Sequence, residues 1–101
     1  MNTREELHEI LCDCLGSRHA YFQPPESIKM RYPAIVYSRS RLDTRHADNG
    51  AYFQKQAYQV TVIDSNPDSE VVPKVARLPF CRFDRHYVAS NLNHDVFTIY
   101  C

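Results

Sequence analysis

The stretch from Ala51 to Asp64, AYFQKQAYQVTVID, decides the fold because it predicts one long β-strand. Its even positions from Tyr58 to Val62 are apolar, whereas Gln59 and Thr61 between them are polar. An alternation with a period of two residues is typical of a strand with one buried face and one exposed face. The sequence therefore predicts a sheet with at least one extended strand at its centre.

A partner strand is predicted just upstream of this stretch. The segment Ala34–Ser38, AIVYS, is compact and rich in residues that favour strands, and Asp48-Asn49-Gly50 is a strong turn signal. The residues between them, Arg39–Asn49, are mostly polar and contain a single large apolar residue, Leu42. This stretch, which includes His46, is predicted to be a loop. We therefore expect a long hairpin that projects from the sheet, and we predict poor order for residues 39–50 in an isolated monomer because little burial opposes their chain entropy.

An amphipathic helix is predicted at the N-terminus. Thr3 and Glu6 form a capping box, and Gly16 provides a natural stop. The helix presents one apolar stripe, which consists of Leu7, Ile10, Leu11, Cys14 and Leu15.

A second, short helix and three further strands complete the predicted elements. Asp68 or Ser69 can cap this helix, Pro79 ends it, and Val71, Val75 and Leu78 share one face. The strands are predicted at His19–Gln23, Cys81–Val88 and Asp95–Tyr100, the last two being joined across Ala89–Asn93. The predicted fold is α+β: one domain over residues 1–101, with a small, mainly antiparallel sheet and both helices packed on one face.

Composition narrows the possible functions. The chain has 101 residues, 44% of them hydrophobic, and its 12 basic residues balance its 12 acidic ones. A net charge of zero argues against a general nucleic-acid binder. The acidic N-terminus is followed by no apolar stretch, and no apolar run reaches the ~18 residues of a membrane span, so we expect a protein of the cytosol without a membrane partner.

The four cysteines do not predict a metal site or a disulfide frame. Cys12 and Cys14 are too close together in sequence for a zinc knuckle, and a cytosolic protein keeps its thiols reduced. The chain's two glycines are far apart, which excludes the glycine-rich loops that hold phosphates or dinucleotides. We expect no cofactor and no small-molecule substrate.

Catalytic residues are equally hard to identify. Asp84 and His86 are predicted on the same face of a strand, and together with Asp64 they could be drawn as a nuclease site. His94 and Asp95 form another neighbouring pair. No motif fixes any of these groups, and such pairs arise by chance in a charged domain. The sequence therefore predicts a protein that is not an enzyme and has no catalytic residues.

The clearest polar feature is an uneven distribution of charge. The segment from Lys29 to Arg45, called here the basic segment, has five basic residues against Asp43 and a net charge of +4, whereas Met1–Leu15 has a net charge of −3. Complementary surfaces of this kind can join copies of a chain. The predicted subunit or partner interface consists of Lys29, Arg31, Arg39, Arg41 and Arg45.

Four segments resemble the tail-terminator type of tail-completion proteins of tailed bacteriophages and prophages. They are YPAIVY (32–37), YQVTVIDSNPDS (58–69), LPFCRFDR (78–85) and NLNHDVFT (91–98). The similarity runs from about Tyr21 to the C-terminus. It implies a small sheet with helices, no cofactor and no catalytic motif. It further implies a ring, commonly a hexamer, that caps the major tail-tube protein and joins the head-completion protein at the neck of the virion.

These expectations lead to one leading hypothesis and two alternatives. The leading hypothesis is a structural virion protein that assembles in the host cytoplasm. The first alternative is the head-completion, or stopper, protein of the same neck. The second is a small protein that binds or processes nucleic acid through the basic segment.

Overall fold

The structure, a computed structural model, describes residues 4–25, 29–46 and 52–100, and for residues 41–46 and 52–55 it describes the backbone alone. The described residues form two helices and one five-stranded sheet, which confirms the predicted α+β class. In chain order the elements are α1 (Arg4–Leu15), β1 (Ala20–Phe22), β2 (Ala34–His46), β3 (Tyr52–Asp64), α2 (Val71–Ala76), β4 (Cys81–Ala89) and β5 (Leu92–Tyr100).

The sheet is mainly antiparallel and has the strand order β1-β2-β3-β5-β4. The short β1 pairs with β2 in parallel, whereas the β2–β3, β3–β5 and β4–β5 pairs are all antiparallel. The 13-residue strand β3, predicted from its alternating pattern, lies at the centre of the sheet between β2 and β5. β4 and β1 form the two edges of the sheet.

The predicted long hairpin is present, but its polar part is a strand. β2 and β3 pair from Ala34↔Ile63 to His46↔Tyr52, with a bulge between Arg39 and Arg41. The prediction of a loop over Arg39–His46 is therefore wrong: cross-strand pairing satisfies the backbone there whatever the side chains are. Residues 47–50, the rest of the predicted loop, lie outside the described residues.

The hairpin extends beyond its neighbours in the sheet. β1 pairs with β2 only as far as Tyr37, and β5 begins to pair with β3 at Ala57. Residues 41–46 and 52–56, called here the arm, therefore form a two-stranded ribbon. At ~3.3 Å per residue, six residues project roughly 20 Å from the sheet.

The core lies between the two helices and one face of the sheet. As predicted, α1 buries Leu7, Leu11, Cys14 and Leu15, while Ile10 packs against the edge of the core. The predicted cap residue Thr3 lies outside the described residues. The sheet contributes alternate residues of its central strands, which are Ile35, Tyr37, Tyr58, Val60, Val62, Phe97 and Ile99.

Two polar contacts fix the position of α1 on the sheet. The ring nitrogen Nδ1 of His8 lies 2.6 Å from the hydroxyl of Tyr37, whose side chain is fully buried. The guanidinium of Arg4 lies 4.6 Å from the centre of the Phe22 ring on β1. These contacts hold the N-terminal half of α1 over β1 and β2.

Local signals set the bounds of the last three elements. The N-cap residue of α2 is Glu70, which makes no side-chain cap, so the prediction of Asp68 or Ser69 as the cap is wrong; the Ser69 hydroxyl instead accepts a hydrogen bond from the Val71 N–H at 3.3 Å in the turn before the helix. Ser90 and Asn91 have φ angles of 53° and 63° and form a two-residue hairpin turn. The predicted five-residue connection across Ala89–Asn93 is therefore too long, because this tight turn lets both strands continue to it.

Candidate interaction surfaces

The basic segment is spread along the hairpin rather than gathered into one patch. Lys29 and Arg31 are exposed just before β2, and Arg39 is exposed where the arm begins. Arg41 and Arg45 lie in the arm itself, opposite Ala57 and Phe53. β2 spans 13 residues, or roughly 40 Å, so the first and last of these positions could contact different partners.

An acidic stripe runs along the exposed side of α1. Glu5, Glu9 and Asp13 are exposed and follow one another at intervals of four residues, which places them on one face of the helix. Arg18 holds Glu9 in a two-pronged ion pair, with N–O distances of 2.9 and 3.1 Å. The hydrogen bond from Arg18, and then its charge, lower the pKa of Glu9. The stripe therefore presents carboxylates at both ends and an ion pair in the middle.

The outer side of α1 also has a shallow hollow. It has a volume of about 580 Å³ and is lined by Glu5, Glu6, Glu9 and Ile10. Its floor is mainly apolar and its rim is acidic. A hollow of this kind can accept an apolar side chain from a partner that also carries positive charge.

The β4 edge, defined here as Phe80 and the β4 residues, exposes unusually large apolar side chains. The exposed fractions are 63% for Phe80, 52% for Phe83, 40% for Tyr87 and 62% for Val88. Among the described residues, Tyr32 is the one other large hydrophobic residue that is exposed to this degree. Aromatic side chains clustered on an exposed edge are typical of protein contact surfaces.

The β4 edge has no clear signal in the amino-acid sequence. The run CRFDRHYVA contains apolar residues, as a half-buried strand would. It is exposed because β4 is the last strand of the sheet and because the six-residue α2 is too short to cover it. Neither fact can be read from the run itself.

A bulge in β4 separates two residues that were predicted to lie together. The register shifts between Phe83 and Arg85, which places Asp84 beside Thr98 on the sheet face opposite the helices. His86 pairs with Asp95 and lies on the helix-facing side. The prediction that Asp84 and His86 share one face is therefore wrong, because the bulge adds one residue to the alternation.

The other groups of the possible nuclease site serve local structure. Nε2 of His86 lies 3.2 Å from the Asn93 side-chain oxygen, and the Asn93 amide donates to the carbonyl of Asp64 at 3.3 Å. His94 stacks on Tyr87 with the ring centres 4.6 Å apart. These contacts explain each position without a shared substrate site.

The described cysteines are free thiols with reduced acidity. Cys12 and Cys14 are buried, and desolvation raises the pKa of both. Burial, followed by the nearby charge of Asp84, raises the pKa of Cys81 to about 11.

In the described part of the chain, no cluster of three or more His, Cys, Asp or Glu side chains could hold a metal ion. No described helix is both long and apolar enough to cross a bilayer.

Comparison with known proteins adds no relative to these observations. The chain matches no protein-family model and no curated protein.

Proposed function

We propose that this protein is a structural component of a phage virion, in which copies form a ring that caps the tail tube and joins it to the head-completion protein. The observation that carries the proposal is that one small chain has two unlike exposed surfaces: the acidic stripe of α1 and the basic segment that leads into the arm. The resemblance of the four sequence segments gives these surfaces a biological setting, the virion neck.

Two different surfaces on one chain are what a ring requires. A contact between unlike surfaces can repeat around a rotation axis and close into a ring, whereas a self-complementary contact stops at a dimer. Exposed ion pairs contribute only ~0–1 kcal/mol each, but a ring repeats the same set at every interface. The basic segment can contribute to such a contact or can face an acidic surface of the tube protein.

The arm gives the basic segment reach. It extends roughly 20 Å beyond the strands that support its base. A projection of this size can span from one subunit to the tube below or to the neighbouring subunit. This favours an assembly role over a role in chemistry, for which the described residues offer no convergent set of groups.

Charge reversal in the basic segment tests the proposal. The double variant Arg39→Glu and Arg41→Glu should remain folded but should lose ring formation or docking onto purified tail tubes, because like charges would then meet across the contact. Sedimentation and capping of tubes in vitro measure the two outcomes at low and at physiological salt. The double reversal Lys74→Glu and Arg77→Glu, at exposed positions at the end of α2, has the same change in net charge and is the control.

A titration with single-stranded DNA separates the nucleic-acid alternative. Tight binding by the unmodified protein, with a steep dependence on salt that the Arg39→Glu, Arg41→Glu variant loses, would assign the basic segment to nucleic acid and would refute the proposed function. Assembly and tube capping that the variant retains in full would refute the electrostatic role of the basic segment.

A further inference from the structure

The β4 edge is the largest exposed apolar feature of the described residues, and its position limits what can cover it. Phe80, Phe83 and Val88 are each more than half exposed. Two arginines of the same strand, Arg82 and Arg85, are exposed on the opposite face of the sheet from Phe83 and Val88. Arg82 donates to Asp84 at 3.0 Å, and the guanidinium of Arg85 lies 5.7 Å from the centre of the Tyr87 ring. A partner that covers this edge must therefore offer an apolar surface with an acidic surface next to it.

Addition of another strand is a poor way to cover this edge. The bulge between Phe83 and Arg85 interrupts the regular row of backbone groups that a new strand would need. The other strand edges that this chain leaves unpaired belong largely to the arm, which carries Arg41, Arg45 and Lys55. If the arm added to this edge as a strand, basic residues of the arm would meet basic residues of β4. A contact in which side chains of β4 pack against a helix of the partner needs no backbone pairing and avoids this repulsion.

The outer side of α1 has the matching features. Its hollow has an apolar floor that includes Ile10, and the rim is formed by Glu5, Glu6 and Glu9. α1 has a net charge of −3, from Arg4 against four acidic residues, and the β4 edge has a net charge of +1, from Arg82 and Arg85 against Asp84. Polarity and charge are thus complementary between these two surfaces.

The two surfaces cannot meet within one molecule. The inner side of α1 packs against α2, β1 and β2, so the acidic outer side of α1 faces away from the sheet whose last strand is β4. A chain therefore cannot bring its own α1 onto its own β4 edge. A second copy can, and each added copy presents a fresh edge for the next.

We infer that the β4 edge of one copy binds the acidic outer side of α1 of the next copy, in a head-to-tail contact that repeats around a ring. An exposed phenylalanine of the edge enters the hollow on α1, and the arginines of β4 meet its carboxylates. This inference rests on the proposed function and makes it more specific. It assigns the subunit contact to α1 and β4, and so leaves the basic segment for the tail tube.

Two variants, each of which disables one surface, test the contact. The edge variant carries Arg85→Glu and Val88→Asp, and the helix variant carries Glu5→Lys and Asp13→Lys. All four positions are exposed, so circular dichroism and thermal unfolding should show a folded protein in each case. Sedimentation velocity then measures the assembly state of each variant across a range of concentrations.

The expected result is specific to a head-to-tail contact. The unmodified protein assembles, and each variant alone stays monomeric at concentrations at least roughly tenfold above those at which the unmodified protein assembles. A mixture of the two variants forms a one-to-one pair and stops there, because the intact α1 of one meets the intact edge of the other. The control variant, Asp68→Lys and Glu70→Lys, has the same charge change as the helix variant at exposed positions before α2 and assembles normally.

Several outcomes would overturn the inference. It fails if either variant assembles like the unmodified protein, if the mixture yields no pair, or if the helix variant forms a two-fold dimer through β4. It also fails if the unmodified protein is monomeric at every concentration. This holds even if the edge variant loses its binding to tail tubes, because the β4 edge would then contact the tube and not a second copy. The proposed function is decided separately by tube capping, and it survives if caps form through some other subunit contact.

Discussion

The hydroxyl of Thr98 donates a 2.5 Å hydrogen bond to Oδ2 of Asp84, which joins β5 to the bulged residue of β4. Thr98 is only 8% exposed, and Nε of Arg82 donates to the other carboxylate oxygen at 3.0 Å. Partial burial on its own raises the pKa of Asp84. The hydrogen bonds from Thr98 and Arg82 and the charges of Arg82 and Arg85 outweigh it, so that the pKa falls below its ordinary value of 3.8.

This arrangement makes part of the fold's stability sensitive to acid. Because the pKa of Asp84 is lower in the folded state, its contribution is present above the ordinary value of 3.8 and is lost as the pH falls through the folded-state pKa. We expect the free energy of unfolding to fall less steeply in Asp84→Asn than in the unmodified protein as the pH drops below about 4. Urea unfolding at a series of pH values measures this. Asp68→Asn, an exposed position before α2, is the control, and parallel curves for Asp84→Asn and the unmodified protein would contradict the expectation.

Leu11 should be among the most sensitive core positions. Its side chain is fully buried where α1 meets the sheet, so Leu11→Ala leaves a cavity and should cost ~2–5 kcal/mol of unfolding free energy. Denaturant titration measures the loss. A cost below ~1 kcal/mol would mean that the core is not packed around α1 as described.

A substitution at His94, on the sheet face opposite the helices, should cost much less unfolding free energy than Leu11→Ala. His94→Ala removes the stack on Tyr87 and should cost only ~0.5–1.5 kcal/mol. The same variant tests the expectation that the protein is not an enzyme. If it abolished a measurable hydrolytic activity and left the fold intact, the structural interpretation of His94 would be wrong.

The parts of the fold that the sequence predicted correctly are those in which side-chain periodicity reflects burial. The stripe from Leu7 to Leu15 and the alternation from Tyr58 to Val62 each mark one buried face, and both elements form as expected. In Arg39–His46 the mostly polar residues carry no such signal, so the sequence predicts a loop where backbone pairing to β3 forms a strand.

The candidate surfaces were predictable only where they depend on charge. The acidic stripe and the basic segment are visible in the residue types alone. The β4 edge is not, because Phe83 and Val88 in a strand predict burial until the strand is known to be the last in its sheet. The bulge at Asp84 is a tertiary feature as well: Thr98 and Arg82 stabilise it, and neither signals it in sequence.

The described cysteines should react slowly in the folded protein. Cys12 and Cys14 are buried, and the raised pKa of about 11 keeps Cys81 in its unreactive thiol form at neutral pH. We expect alkylation by iodoacetamide, followed by peptide mass spectrometry, to be much slower at these three sites in the native protein than in denaturant. Labelling of Cys81 in the native protein at the denatured rate would contradict its raised pKa.

The arm should be the least protected part of the sheet in an isolated chain. Residues 41–46 and 52–56 pair only with each other, whereas residues 57–64 of β3 also pair with β5. A two-stranded ribbon has marginal stability in water, so its amides should exchange by local opening, while those of Val60 and Val62 should exchange only on global unfolding. Hydrogen exchange measured on a proven monomer tests this difference, and it also tests the predicted poor order of residues 39–50. If the arm amides were as protected as that of Val60 in the monomer, the arm would be stabilised by its own chain rather than by a partner. Protection that rises only when tail tubes are added would instead place the arm against the tube.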